Sequence, residues 1–140
     1  MIELWHADAG AEERVKAAEG LFDDPVDLEA TRRFLADEAN HLVIAYVDGE
    51  AAGFVTGTEL RHPDKPAPEL FLNELGVEMR FRGRGIGTQL VEKLWDVAQG
   101  RGCRGMWVLT DEDNAVALRV YQNAGGRRLP AQVMLEWGDT

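Results

Sequence analysis

Apolar positions along the chain follow two periods, and the changes between them predict its elements. Ile2-Glu-Leu-Trp-His6 reads as a short first strand, and glycines at 10 and 20 bracket a helix. Leu21-Phe-Asp-Asp-Pro-Val-Asp27 is a turn whose last residue caps a second helix, with Leu28, Thr31, Phe34 and Leu35 on one face. Arg32, Arg33, Asp37 and Glu38 fall on its other, solvated face. Residues 41–47 and 50–59 read as a hairpin about Asp48-Gly49, the strongest short turn signal in the chain. In residues 62–68, prolines at 63, 66 and 68 remove ladder donors, which predicts an exposed loop before a fourth strand over 69–77. Ile86, Leu90, Leu94 and Val97 make a helical stripe that packs on the sheet and stops at Gly100 or Gly102. A fifth strand over 105–110, a helix over 114–124 and a last strand over 133–137 complete the prediction. A strand, a helix and a strand around residues 78–104 imply a parallel pair.

The chemistry concentrates where the fourth strand meets its helix. Leu72-Asn-Glu-Leu-Gly-Val77 carries one carboxylate in an apolar strand, and Arg82-Gly-Arg-Gly-Ile-Gly87 follows at the helix start. Helix-start N–H groups lack intrahelical partners and sit at the positive end of the dipole, so this loop can cradle a pyrophosphate. Spacing separates three phosphate-loop readings. No Lys-Ser/Thr pair follows Gly85 or Gly87, as a nucleotide-hydrolase loop requires, and position 88 is Thr where the dinucleotide fingerprint needs its third glycine. The remaining pattern, Arg82-x-x-Gly85-x-Gly87, resembles the acetyl-coenzyme A loop of the GNAT family of N-acetyltransferases. Downstream, Asp113-Asn-Ala-Val-Ala-Leu-Arg-Val-Tyr121 with Gly125-Gly126 is similar to the second motif of that family. A capped helix with a core tyrosine is the bland alternative for this segment alone.

The resemblance implies a single domain over residues 1–140 with the GNAT fold, an α/β (α+β) architecture. Its mixed central sheet is splayed between strands four and five and flanked by helices. It also implies acetyl-CoA as acetyl donor, with no metal. Pantetheine would lie along the strand edge at Leu75, Gly76 and Val77, since its amides can pair like an added strand. The pyrophosphate would sit at Arg82, Gly83, Arg84, Gly85, Ile86, Gly87 and Thr88. Asn114, Ala117 and Tyr121 would face the pantetheine arm, although Asn114 also reads as a plain helix cap. Tyr121 matches the family tyrosine that returns a proton to the departing thiolate. A phenol suits that task because its ordinary pKa of about 10 keeps the proton at neutral pH. Glu74 is the candidate base: strand alternation puts it on the face of Leu70 and Leu72, where partial burial would tune it. Its alternatives are action through water, or a structural carboxylate holding a neighbour.

Charge narrows the acceptor. Of 140 residues, positions 1–78 hold eighteen acids and six bases, and positions 79–140 hold seven and nine. Such a surface disfavours nucleic acid and draws polycations, or it simply keeps the protein in solution. Asp23, Asp24, Asp27, Asp64 and Glu69, with Glu74, are the candidates for pairing with an acceptor's ammonium groups. Small aminoglycoside 3-N-acetyltransferases resemble this chain most among GNAT enzymes, in Glu74-Leu-Gly-Val77 and in Ala115 to Tyr121, which implies the 3-amino group of an aminoglycoside. A polyamine, a small metabolite amine or a protein N-terminus are rival acceptors. A non-catalytic acyl-CoA-binding module is the rival of another class.

The remaining features bound the reading. The one cysteine, Cys103, leaves no intrachain disulfide and reads as a small buried hydrophobe. His6, His41 and His62 lack metal-ligand spacing and read as strand-edge or loop residues. No apolar run is long enough for a membrane span and no leader pattern opens the chain, so a cytoplasmic location is expected. Trp5, Trp95, Trp107 and Trp137 read as core or dimer contacts, and family analogy makes a homodimer plausible.

Overall fold

Alternating strands meet in one sheet whose order is β1-β2-β3-β4-β5 in a computed structural model that describes residues 1–139. The elements are β1 (Ile2–His6), α1 (Glu12–Ala17), α2 (Leu28–Ala36), β2 (Asn40–Val47), β3 (Glu50–His62), β4 (Lys65–Val77), α3 (Ile86–Gly100), β5 (Met106–Trp107) and α4 (Ala115–Asn123). Neighbours from β1 to β4 are antiparallel, whereas β4 and β5 are parallel, as the intervening helix requires. The β2–β3 hairpin turns at Asp48 and Gly49, with φ of 49° and 84°. Both values are positive, which a two-residue turn matching strand twist demands. Asp27 caps α2 by accepting from the Ala30 N–H at 2.8 Å.

The sheet is covered on both faces. On one, Ile86, Leu90 and Leu94 of α3 pack on Val43, Val55, Leu70 and Leu72, all fully buried. Ala98, rather than the expected Val97, carries that stripe into its last turn. On the other face, Val15 and Leu35 meet Leu42, Ile44 and Phe54, and Phe22 stacks on Phe54 at 4.4 Å.

Three expectations are corrected. The proline segment is not a loop: β3 and β4 continue to a tight hairpin in which His62 pairs with Lys65. Pro68 turns its carbonyl to the Arg104 N–H, on the side to which the Leu70 N–H also points, so its nitrogen removes no bond to β3, and Pro66 falls where the β3–β4 register shifts between Leu60 and His62. The fifth strand is two residues long, not six. Residues 133–137 enter no strand ladder. Val133, Met134, Leu135 and Trp137 are instead exposed, because no neighbouring strand supplies the apolar cover on which that prediction rests.

Candidate active site

The edge of β4 opens where β5 stops. Among the described residues only Leu70–Met106 and Phe71–Trp107 are paired, so from Leu72 onward no described strand neighbours β4 on that side. Asn73 is the extra residue of a bulge, since Leu72 pairs with Gly57 while Glu74 pairs with Thr56. This shift sets which backbone groups face outward. Counting along the register, Leu75 and Val77 turn their N–H and C=O toward the open edge, and the Val77 carbonyl accepts from Arg82 Nε at 3.1 Å. The splay expected between the fourth and fifth strands is therefore present.

At the end of this edge the chain reaches the N-terminus of α3. Gly85 is its cap with φ 78°, and Gly83 has φ 79°. A Cβ at Gly85 meets nothing within 4 Å, so conformation rather than crowding calls for glycine there. No side chain caps the helix, and the first N–H to bond back along it is that of Gln89. The N–H groups of Ile86, Gly87 and Thr88 thus point outward unpaired within the helix. Gly87 lets α3 approach α4, because a Cβ would sit 3.3 Å from Val120 Cγ1. Among the described residues, Arg82 and Arg84 have no carboxylate within 4.0 Å, whereas Arg80 is bound to Glu50 at 2.7 Å. Two cations without a carboxylate partner among the described residues therefore flank the helix start, Arg82 donating to Val77 and Arg84 lying over the Phe81 ring.

Glu74 departs from its expected placement. The bulge reverses the alternation, so Leu75 and Val77 pack with Leu70 and Leu72 on the α3 face while Glu74 projects to the α1–α2 face. There it accepts from Thr56 Oγ1 at 3.3 Å. It is exposed, and the burial expected of it is absent. Tyr121 lies on the other face, half-buried beside the α3 core, and burial pushes its phenol pKa up. Asn114 accepts from the Ala117 N–H at 3.1 Å and so caps α4. That bond uses only Oδ1 and leaves the amide nitrogen free to donate.

The five loop carboxylates do not converge. Asp27 is spent as the α2 cap, Asp64 binds Lys65 at 3.0 Å, and Glu69 is held by Arg104 at 3.1 Å and Trp107 Nε1 at 3.3 Å. Asp64 and Glu69 also sit toward the far end of β4, Glu69 eight residues from Val77, an extended span of up to about 26 Å. Asp23 and Asp24 are exposed and, among the described residues, have no ion-pair partner. Asp23 lines a cleft of about 350 Å³ with Leu21, Phe22, Gly76, Val77, Glu78, Met79 and Arg82. Sequence reasoning missed Glu78, the second acid lining this cleft and, among the described residues, one without an ion-pair partner, and Thr56, which positions Glu74. Their signal was available only through the pairing of β3 with β4.

A second polar cluster lies away from this cleft. Glu59 and His41 are buried, with His41 Nε2 2.7 Å from Glu59 Oε2 and His6 Nε2 3.1 Å from His41 Nδ1. Arg101 Nε donates to Glu59 at 2.7 Å. His41 is thus an interior residue rather than a strand-edge one. Burial raises the Cys103 thiol pKa and keeps it protonated, as a small hydrophobe requires.

The model of the Acetyltransferase (GNAT) family matches residues 4–125. The chain is 35% identical over 126 residues to the N-alpha-acetyltransferase RimI of Mycobacterium tuberculosis, covering 90% of this chain and 77% of that one. An aminoglycoside acetyltransferase from an uncultured soil metagenomic sample, solved in complex with sisomicin, gives a TM-score of 0.89 at 15% identity, over 99% of this chain and 97% of that chain. The aminoglycoside N-acetyltransferase AAC(6')-Iy, solved with CoA, gives 0.79 at 22% identity, over 98% and 95%. At these identities the structural likeness speaks for the fold.

Proposed function

The chain belongs to the GNAT acetyltransferase family, and from that premise we propose that it transfers an acetyl group from acetyl-CoA to a primary amine of a polycationic small molecule, the 3-amino group of an aminoglycoside. The observation that carries this reading is the open β4 edge running directly into the uncapped N-terminus of α3. The residues present fit the donor: backbone groups of Leu75 and Val77 suit pantetheine amides, and Ile86, Gly87 and Thr88 with Arg82 and Arg84 suit a pyrophosphate. Acetyl-CoA supplies an activated thioester. Asn114 would steady the pantetheine arm through its free amide nitrogen.

The two sheet faces divide the proton traffic. Glu74, held by Thr56 on the α1–α2 face, is the base that takes a proton from the incoming ammonium, directly or through a water. Tyr121, on the α3 face, gives a proton to the leaving sulfur, and its raised pKa keeps that proton in place at neutral pH. The acetyl group changes partners at the strand edge between them. Asp23, Asp24 and Glu78 carry uncommitted negative charge at the mouth on the acceptor side, so a polycation is drawn there.

A second reading, acetylation of a protein N-terminus, is supported by the 35% identity to RimI. Salt and charge separate the two. With an aminoglycoside acceptor, kcat/KM should fall as salt screens the carboxylates over about 8 Å at physiological ionic strength. Asp23→Asn with Asp24→Asn should raise KM for the polycation several-fold. Unchanged KM in the double variant would remove these acids from the acceptor site.

A further inference from the structure

Trp107 is 40% exposed, yet two contacts fix its ring. It stacks on Phe71 with centroids 4.6 Å apart and planes inclined at 38°, and its Nε1 donates to Glu69 Oε1 at 3.3 Å. Glu69 is held in turn, because Arg104 Nη2 donates to its other oxygen at 3.1 Å. Ordering a side chain in solvent costs rotamer entropy, so a ring already fixed at the surface is prepared for a contact. Since the indole N–H is committed to Glu69, Trp107 has only its π face to offer a ligand.

That face belongs to the side of the sheet that carries Glu74. Register pairs Phe71 with both Thr58 and Trp107, and Glu74 with Thr56, so the two rings and the carboxylate project to the α1–α2 face. Thr58 and Thr56 stand two residues apart, which sets the aromatic pair about 7 Å from Glu74 along the strand. The apolar cluster that packs α1 and α2 on the sheet takes its strand residues from β1, β2 and β3 and none from β4 or β5. Phe71 is accordingly only half-buried, and Trp107 is exposed.

We propose that Trp107 and Phe71 form a stacking platform for a second ring of the acceptor, next to the ring whose amine meets Glu74. The platform rests on the aminoglycoside reading and adds a second subsite to it. An aminosugar suits it, because ammonium and hydroxyl groups polarise the ring C–H bonds and cations favour the negative face of an indole. The separation from Glu74 is comparable to the step from one linked sugar ring to the next. Glu69 is a positioning residue: Arg104 meets its charge, and it acts through the indole that it orients. Acceptors of two or more rings are therefore preferred over a single ring.

The full chain is assayed at saturating acetyl-CoA with a kanamycin-like amine and with 2-deoxystreptamine, a lone ring carrying the same 3-amino group. Trp107→Leu keeps an apolar side chain and removes the π face. The ratio of kcat/KM for the kanamycin-like amine to that for 2-deoxystreptamine should then fall about tenfold, through KM, as loss of a cation–π contact implies. Trp107→Phe should recover most of the ratio, and Glu69→Ala, which frees the ring without removing it, should lower it by less than Trp107→Leu. Wild-type protein loaded with coenzyme A should also shift its tryptophan emission when the kanamycin-like amine is added, and Trp107→Phe should lose that shift. Aminoglycoside turnover with a ratio unmoved by Trp107→Leu, or with no emission shift in the wild type, would overturn the platform and leave the acceptor reading standing. A wild type that turns over no aminoglycoside would overturn the acceptor reading and the platform with it.

Discussion

Thr56 Oγ1 donates to Glu74 Oε1 at 3.3 Å across the β3–β4 ladder, on the sheet face opposite the half-buried Tyr121. This bond holds an exposed carboxylate beside the open edge of β4, and so ties the proposed base to the bulge that reorients it. Glu74→Gln should lower kcat by on the order of 10²- to 10⁴-fold, the usual contribution of a positioned base. Thr56→Val should lower it by less, because the carboxylate remains and loses only its orientation. Initial rates with saturating acetyl-CoA check both. Equal losses, or none, would separate Glu74 from base catalysis.

Tyr121→Phe removes a proton and little volume. Affinity for acetyl-CoA should stay within about twofold, while single-turnover transfer slows by on the order of 10²-fold or more, as loss of an acid implies. The high-pH limb of the wild-type rate profile should lie above the ordinary phenol value of about 10, in the direction that burial pushes Tyr121, and should be lost in the variant.

Gly85→Val forces a β-branched residue to φ 78° at the α3 cap. The strain costs about 1–3 kcal/mol if the conformation is kept, and relaxing it turns the N–H groups of the loop away from the phosphates. Calorimetry should show acetyl-CoA affinity reduced by tenfold or more in a protein whose circular dichroism is unchanged. Undiminished affinity would remove the loop from the site.

Falling pH should lower stability over two ranges, one set by the exposed His6 and one by the buried Glu59. Burial, then His41 and Lys93, lower the pKa of His6 from 6.5, so its contribution is complete above that value and is lost as pH falls through the lower folded pKa. Burial alone would raise the pKa of Glu59, yet its bonds from Arg101 and His41 together hold it below the ordinary 4.5. That contribution is present above 4.5 and is lost as pH falls through the still lower folded value. Glu59→Ala should cost about 2–4 kcal/mol at neutral pH by stranding His41 and unpairing Arg101. Urea melts between about pH 2 and pH 7.5 check both. A stability that does not decline below pH 6.5 in the wild type would contradict the His6 assignment.

Legibility in the sequence followed the range of the information. Asp48-Gly49, the Asp27 cap and the stripe of Ile86, Leu90 and Leu94 declare themselves within a few residues, and the structure contains all three. The glycine loop did so too, because left-handed conformation and helix start are local properties. What failed needed a partner strand. The Asn73 bulge reverses the face of Glu74 through the register with β3, and nothing within residues 69–77 announces it. Pro66 and Pro68 were misread because their cost depends on which neighbour each nitrogen faces. The acids expected at the acceptor were a list of charges until the fold showed Asp27, Asp64 and Glu69 bound to partners of their own and Asp23 lining one cleft with Glu78.

The most direct measurement of the central claim follows coenzyme A thiol release from acetyl-CoA with a matched panel of amines, then locates the acetyl group by NMR. Gentamicin-like and kanamycin-like aminoglycosides would stand beside spermidine, small diamines and peptides with free N-termini. The account predicts salt-sensitive turnover of the aminoglycosides, acetylated at the 3-amino group, with kcat/KM above that of every peptide. Turnover confined to peptide N-termini would contradict the acceptor while leaving the acetyl transfer in place. Failure of every amine to release thiol from a protein that binds acetyl-CoA would contradict the catalytic reading itself.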